Sequence, residues 1–148
     1  MLINLLGYAF VVSQPFFYLL AMSNAQKNLR GPAYVELRNL LDSNLMVKNR
    51  IVYYVVLVSS IAVCICSFNH PLSLVFITSA IACAALWIDV YLMMKGNIPL
   101  NKYIQTWTPE EYPADWQKYR EAWFSYYHRR QIACITGFVS LLVGIVFK

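Results

Sequence analysis

Apolar and polar positions alternate along this chain in long blocks. Apolar runs cover about residues 2–22, 51–68, 72–94 and 128–147. Polar connections cover 23–50 and 95–127, and the second and third runs meet at Asn69-His70-Pro71. Runs of about twenty apolar residues match the length of a helix crossing a ~30 Å hydrocarbon core. A single domain of four antiparallel transmembrane helices over residues 1–148 is predicted, all-α, with the second and third spans paired through a tight turn.

Local signals refine the elements. Ser13-Gln14-Pro15 interrupts the first span, and proline there removes a backbone hydrogen bond and kinks the helix. Gln14 is placed either to satisfy the freed carbonyl or to face a cavity. Gly31-Pro32 reads as a helix start, and Tyr34, Leu37, Leu41 and Leu45 follow at helical spacing. The spacing predicts a short amphipathic helix on the membrane surface between spans one and two, or capping the bundle. Asn97-Ile98-Pro99-Leu100-Asn101 is read as leaving span three. Thr108-Pro109-Glu110-Glu111 carries the cap, proline and acids of a helix start, cut to a single turn by Pro113. Asp115 is placed as the cap of a final helix running into the fourth span and ending at Phe147, before Lys148.

Composition agrees with the pattern: 59% of the 148 residues are hydrophobic and 13% charged, with a mean hydropathy of +0.50. One soluble core of this size could not hide that much apolar surface. The net charge of +5 does not point to nucleic acid, because the basic residues sit between apolar spans, where they set topology. Every Lys and Arg except Lys148 lies in, or at the edge of, the two long connections. The excess of positive charge predicts that these connections are cytoplasmic and both termini outside, in a multi-pass protein of the plasma (bacterial inner) membrane. The N-terminal run lacks a basic leader and a small-residue cleavage site, so it reads as a retained span. Cys64 and Cys66 fall about 200° apart on a helix, and no cysteine motif calls for a metal or a disulfide.

The candidate chemistry sits at one edge of the bilayer core. Trp116, Arg120, Trp123, Tyr127 and Arg130 recur at three- and four-residue steps, forming one stripe with His128 flanking it. His128 and Arg130 lie ~28 Å along the helix from the chain end, at the opposite edge of the core. Asp89 reaches the same edge on span three, where a carboxylate is costly enough to need a partner. These residues allow one cytoplasm-side pocket of Asp89, Arg120, Trp123, Tyr127, His128 and Arg130, closed by Asn97, Asn101 and the helix from Gly31 to Leu45. Such a pocket suits a small aromatic acid or phenol: arginine holds an oxyanion, tryptophan and tyrosine stack on the ring, and histidine moves a proton. An aromatic belt with anchoring arginines uses the same residue types at the same depth, so both readings stand.

Asn97-x-Pro99-x-Asn101 followed by Trp123, His128 and Arg130 resembles the C-terminal signature of the anthrone oxygenase-like family, small four-span membrane proteins mostly of unknown function. Tyr126 and Tyr127 occupy the places where that signature has tryptophan and asparagine. The resemblance covers roughly the last third of the chain. It implies oxygenation of a phenolic substrate without metal, flavin or other cofactor. In that scheme His128 is the base that makes the substrate carbanion, and Arg130 and Asn101 hold the enolate oxygen; Asp89 is counted a catalytic candidate with His128 and Arg130 because of its depth alone. The alternatives are a non-catalytic subunit or scaffold that packs against other membrane subunits or a second copy, and a small carrier using Gln14 and Asp89 as polar handles.

Overall fold

The computed structural model describes residues 1–147 and forms a four-helix bundle with no strand among them. We number the helices α1 (Leu2–Lys27), α2 (Gly31–Ser67), α3 (Leu74–Ile104) and α4 (Trp116–Val146); all four are long and apolar enough to cross a membrane. Large apolar side chains face outward along their length. Phe10, Leu20, Val58 and Ile65 are each at least two-thirds exposed. A soluble monomer does not display apolar surface on that scale, whereas lipid tails cover it without cost. The protein is therefore a multi-pass membrane protein. Lys148, read above as closing the fourth span, lies outside the described residues.

Inside, the core is thin and made by close approaches. Tyr8, Val11, Val12, Val56, Leu86, Cys134 and Leu141 form its apolar centre. The Tyr8 hydroxyl donates to the Ala82 carbonyl at 3.0 Å, and a Cβ at Gly137 would collide with that same hydroxyl. Only glycine lets α1, α3 and α4 meet there, as small residues do in membrane helix packing. At the end of the bundle away from the charged connections the Asn4 amide donates to the Ser59 and Ser60 hydroxyls at 3.0 and 2.7 Å, tying α1 to α2.

Two stretches differ from their sequence-based outlines. The residues from Gly31 to Leu45 are helical as expected, with Tyr34, Val35 and Arg38 buried, but they run without a break into span two as one 37-residue helix. No glycine or proline interrupts Ala33–Ser67, so nothing in the backbone stops propagation. Span three likewise continues past Met94 to Ile104 instead of giving way to a loop. It does so through a π-helical turn, Met93–Asn97, directly before Ile98-Pro99. Pro99 cannot donate, and its ring would strike the carbonyl four residues back, so the helix widens by one residue and carries on. A second π-helical turn, Tyr18–Met22, follows Pro15 in α1. Thr108-Pro109-Glu110-Glu111 forms a turn and not a helix, although the expected cap bond is made: the Glu111 N–H donates to the Thr108 hydroxyl oxygen at 3.0 Å.

Candidate functional site

Both widened turns lie at the charged end of the bundle, and each presents one residue to its interior: Tyr18 from α1 and Asn97 from α3, both buried. Around them α2 contributes Tyr34, Arg38 and Asp42, and α4 contributes Trp123, Tyr127 and Arg130. Local sequence explains the presentation. Trp123, Tyr127 and Arg130 share one face of α4 at i, i+4 and i+7, while Tyr34, Arg38 and Asp42 share one face of α2 at successive fours.

The deeper part of this region is an ion pair in which every guanidinium nitrogen makes a hydrogen bond. Arg130 Nε donates to Asp89 Oδ1 at 2.7 Å, Nη1 to Asn97 Oδ1 at 3.2 Å and Nη2 to the Tyr53 hydroxyl at 3.1 Å. Tyr53 in turn donates to Asp89 Oδ2 at 2.5 Å. Asp89 is fully buried and Arg130 nearly so. Four residues from three helices thus close a circuit in which both carboxylate oxygens and all three guanidinium nitrogens are engaged. That is the condition for a buried charge pair to be tolerated at low dielectric. Asn97 extends it by donating to the Trp123 carbonyl at 3.1 Å.

The shallower part is held differently. Arg38 Nη2 donates to Asn101 Oδ1 at 2.6 Å and to Asp42 Oδ1 at 3.3 Å, and its guanidinium lies over the Trp123 ring, 4.3 Å from the centroid. Asn101 is the hub: Oδ1 also accepts from Trp123 Nε1 at 2.7 Å, and Nδ2 donates to Asp42 Oδ1 at 3.2 Å. Beneath Arg38 the rings of Tyr18, Trp123 and Tyr127 form an aromatic group. Trp123 and Tyr127 are stacked 4.7 Å apart, and Tyr18 is tilted 4.5 Å from Tyr127. Gln26 Nε2 donates to the Tyr18 hydroxyl at 3.2 Å.

Four buried polar atoms in and beside this aromatic group have no hydrogen-bond partner among the described residues: Gln26 Oε1, the Tyr127 hydroxyl, Arg38 Nε, and the Tyr34 hydroxyl of the adjoining cluster with Trp116. All four residues are at most 2% exposed. Leaving such an atom unsatisfied costs roughly 1–3 kcal/mol, and native proteins rarely gather several in one place. Together they offer one fixed guanidinium donor, one amide acceptor and two hydroxyls beside stacked rings. Such a set of groups is chemically suited to a planar aromatic bearing phenolic or carboxylate oxygen.

The structure divides the residues singled out from the sequence into three groups. Asp89, Arg130 and Asn97 come together in the closed circuit, and Asn101, Trp123 and Tyr127 in the aromatic region with Arg38. Arg120 and His128 stand apart from both. Arg120 stacks on Trp116 and donates to the Lys27 carbonyl at 2.8 Å. His128 is on the exposed side of α4, its Nδ1 3.4 Å from Gln131 Oε1. It lies about 200° around the helix from Arg130, so the two cannot face one space. Gln14 lines a separate cavity between α1 and α2, and the carbonyl of Pro15 accepts from Gln131 Nε2 at 3.3 Å.

Sequence reasoning did not single out Tyr18, Gln26, Arg38, Asp42 or Tyr53 as site residues. Arg38 had a readable signal, since it falls four residues after Tyr34 on the apolar side of an amphipathic stretch, where arginine is out of place. Among the described residues no cluster of His, Cys, Asp or Glu could hold a metal ion. Comparison with protein-family models, with curated proteins and with solved structures finds no match for this chain.

Proposed function

We propose that this membrane protein binds a small phenolic or aromatic-acid molecule at the charged end of its bundle, against the group formed by Tyr18, Trp123 and Tyr127 and beside Arg38. The observation that carries the reading is the gathering of four unpartnered, buried polar atoms around one stacked aromatic group. Ring stacking supplies affinity. The Arg38 Nε–H, aided by either tyrosine hydroxyl, steadies an oxygen anion on the ligand, and Gln26 Oε1 accepts from a ligand hydroxyl. Asn101 and Asp42 orient Arg38 and so act as positioning residues.

The same reading accommodates the resemblance to anthrone oxygenase-like proteins. Its signature residues Asn97, Asn101, Trp123 and Arg130 are hydrogen-bonded to one another or to Arg38. Stabilising the enolate or phenolate form of a bound substrate is what a cofactor-independent oxygenation of an anthrone asks of its protein. In this proposal Arg38 takes the oxyanion-holding role, because every guanidinium nitrogen of Arg130 is already committed. The exposed ring of His128 has no part in it. The basic end faces the cytoplasm in this reading, since cationic connections are retained there.

The test is purification of the full chain in mild detergent followed by mass spectrometry of what comes with it. A phenolic or aromatic-acid molecule is expected with the wild type and not with Arg38→Gln. Stoichiometric membrane subunits with no small molecule would replace this reading with that of a scaffold.

A further inference from the structure

A second cavity lies well apart from the aromatic group, between α1 and α2. Its volume is about 300 Å³, and its walls change character along the membrane normal. Phe10 and Val11 make the apolar part farthest from the charged end. Ser13, Gln14 and Tyr53, with Val52 beside them, form a partly polar band at mid-height. Lys48 and Asn49, with Leu45 one turn beyond, stand at the rim toward the charged end. Phe10 and Ser13 are exposed on the outer surface of α1, so the cavity opens sideways, toward the lipid, rather than into the bundle. Lys48 is exposed and takes part in neither of the two ion pairs among the described residues.

We infer that this cavity holds one anionic phospholipid of the leaflet at the charged end, its phosphate on Lys48 and its glycerol-ester region on Gln14. The order of chemistry along the cavity matches that of a lipid. Lys48 lies five residues before Tyr53, ~7 Å higher along α2, which is about the step from a phosphate to the ester carbonyls below it. The Ser13 hydroxyl already donates to the Phe10 carbonyl at 2.7 Å, so the Gln14 amide is the donor left for an ester oxygen on α1. The acyl stem then continues over Phe10 and Val11. A soluble anion would gain nothing from the apolar part, and a zwitterionic lipid would gain less from an ammonium group with no carboxylate beside it. Tyr53 forms the inner wall and belongs to the Asp89–Arg130 circuit, so the bound lipid packs directly against the bundle's buried ion pair.

The test is native mass spectrometry of the full chain in detergent, titrated with dioleoylphosphatidylglycerol or dioleoylphosphatidylcholine. One tightly held phosphatidylglycerol per chain is expected, preferred over phosphatidylcholine by about fivefold, the preference that one lysine at a membrane surface provides. Lys48→Gln should abolish the preference, and Gln14→Leu should weaken both lipids. Lys102→Gln, an exposed cation outside the cavity, should behave as wild type. Melting temperatures of the variants confirm that each is folded. Equal retention of the two lipids by the wild type would overturn the assignment. So would an equal loss with Lys102→Gln, which would mean diffuse surface charge, or displacement by millimolar inorganic phosphate, which would mean a soluble anion.

Discussion

Arg130 and Arg38 are both nearly buried and both hydrogen-bonded to an asparagine of the Asn97-x-Pro99-x-Asn101 segment, yet they are used in opposite ways. Arg130 spends all three nitrogens on Asp89, Asn97 and Tyr53. Arg38 has two partners on Nη2, a ring beneath it, and an Nε with no partner. A guanidinium bonded at all three nitrogens fixes helices relative to one another; one whose Nε has no partner can still meet a ligand. Charge in a membrane protein is commonly taken as a sign of function, but here the deeper charge pair is the structural one. In our proposal the shallower, incompletely bonded arginine is the one that meets the ligand.

The comparison is broken most forcefully at Asp89. Asp89→Ala strands a buried guanidinium and should destabilise the bundle by about 3–5 kcal/mol, whereas Asp89→Leu with Arg130→Met should recover most of that loss. Unfolding in detergent, followed by far-ultraviolet circular dichroism, measures both. A single variant as stable as wild type would show that the circuit does not hold the bundle. Arg38→Met should cost less, about 1–3 kcal/mol, since its partners Asn101 and Asp42 retain bonds to each other and Asp42 is also reached by Gln105. Its larger consequence should be loss of the co-purifying small molecule. Tyr127→Phe removes a hydroxyl that bonds nothing in the chain, so the melting temperature should hold or rise while ligand affinity falls. His128→Ala should be nearly silent, within about 0.5 kcal/mol in stability, because the ring is exposed. Its effect on turnover of a phenolic substrate separates a surface residue from the base that the family resemblance assigns.

Much of the fold was legible in the chain because membrane spans are long, apolar and bounded by charge. Four helices, the Asn69 turn and the gathering of cations at one end all follow from that arithmetic. The pairing of Asp89 with a basic residue of the last span was also within reach, since an isolated carboxylate at that depth demands a cation. The continuity of α2 was not, because the amphipathic stretch and the span join at Lys48-Asn49-Arg50, a polar patch that hydropathy reads as a boundary and the backbone does not. The extension of α3 was hidden for a related reason: Pro99 signals a helix end, and a π-helical turn absorbed it instead. Within the site, helical spacing found Trp123, Tyr127 and Arg130. It could not show that Arg38, on a different helix and 85 residues before Trp123, lies on that tryptophan's ring. His128 illustrates the converse, since nearness in sequence to Arg130 puts the two on different faces.

The most direct measurement is a calorimetric titration of the detergent-purified full chain with a polyphenolic anthrone, comparing wild type with Tyr127→Phe. The account predicts saturable one-to-one binding by the wild type and an affinity lower by roughly tenfold in the variant, the worth of one buried hydrogen bond to a phenolic oxygen. The melting temperature should be equal or higher. Identical affinity in the two proteins, or no binding by either, would contradict it.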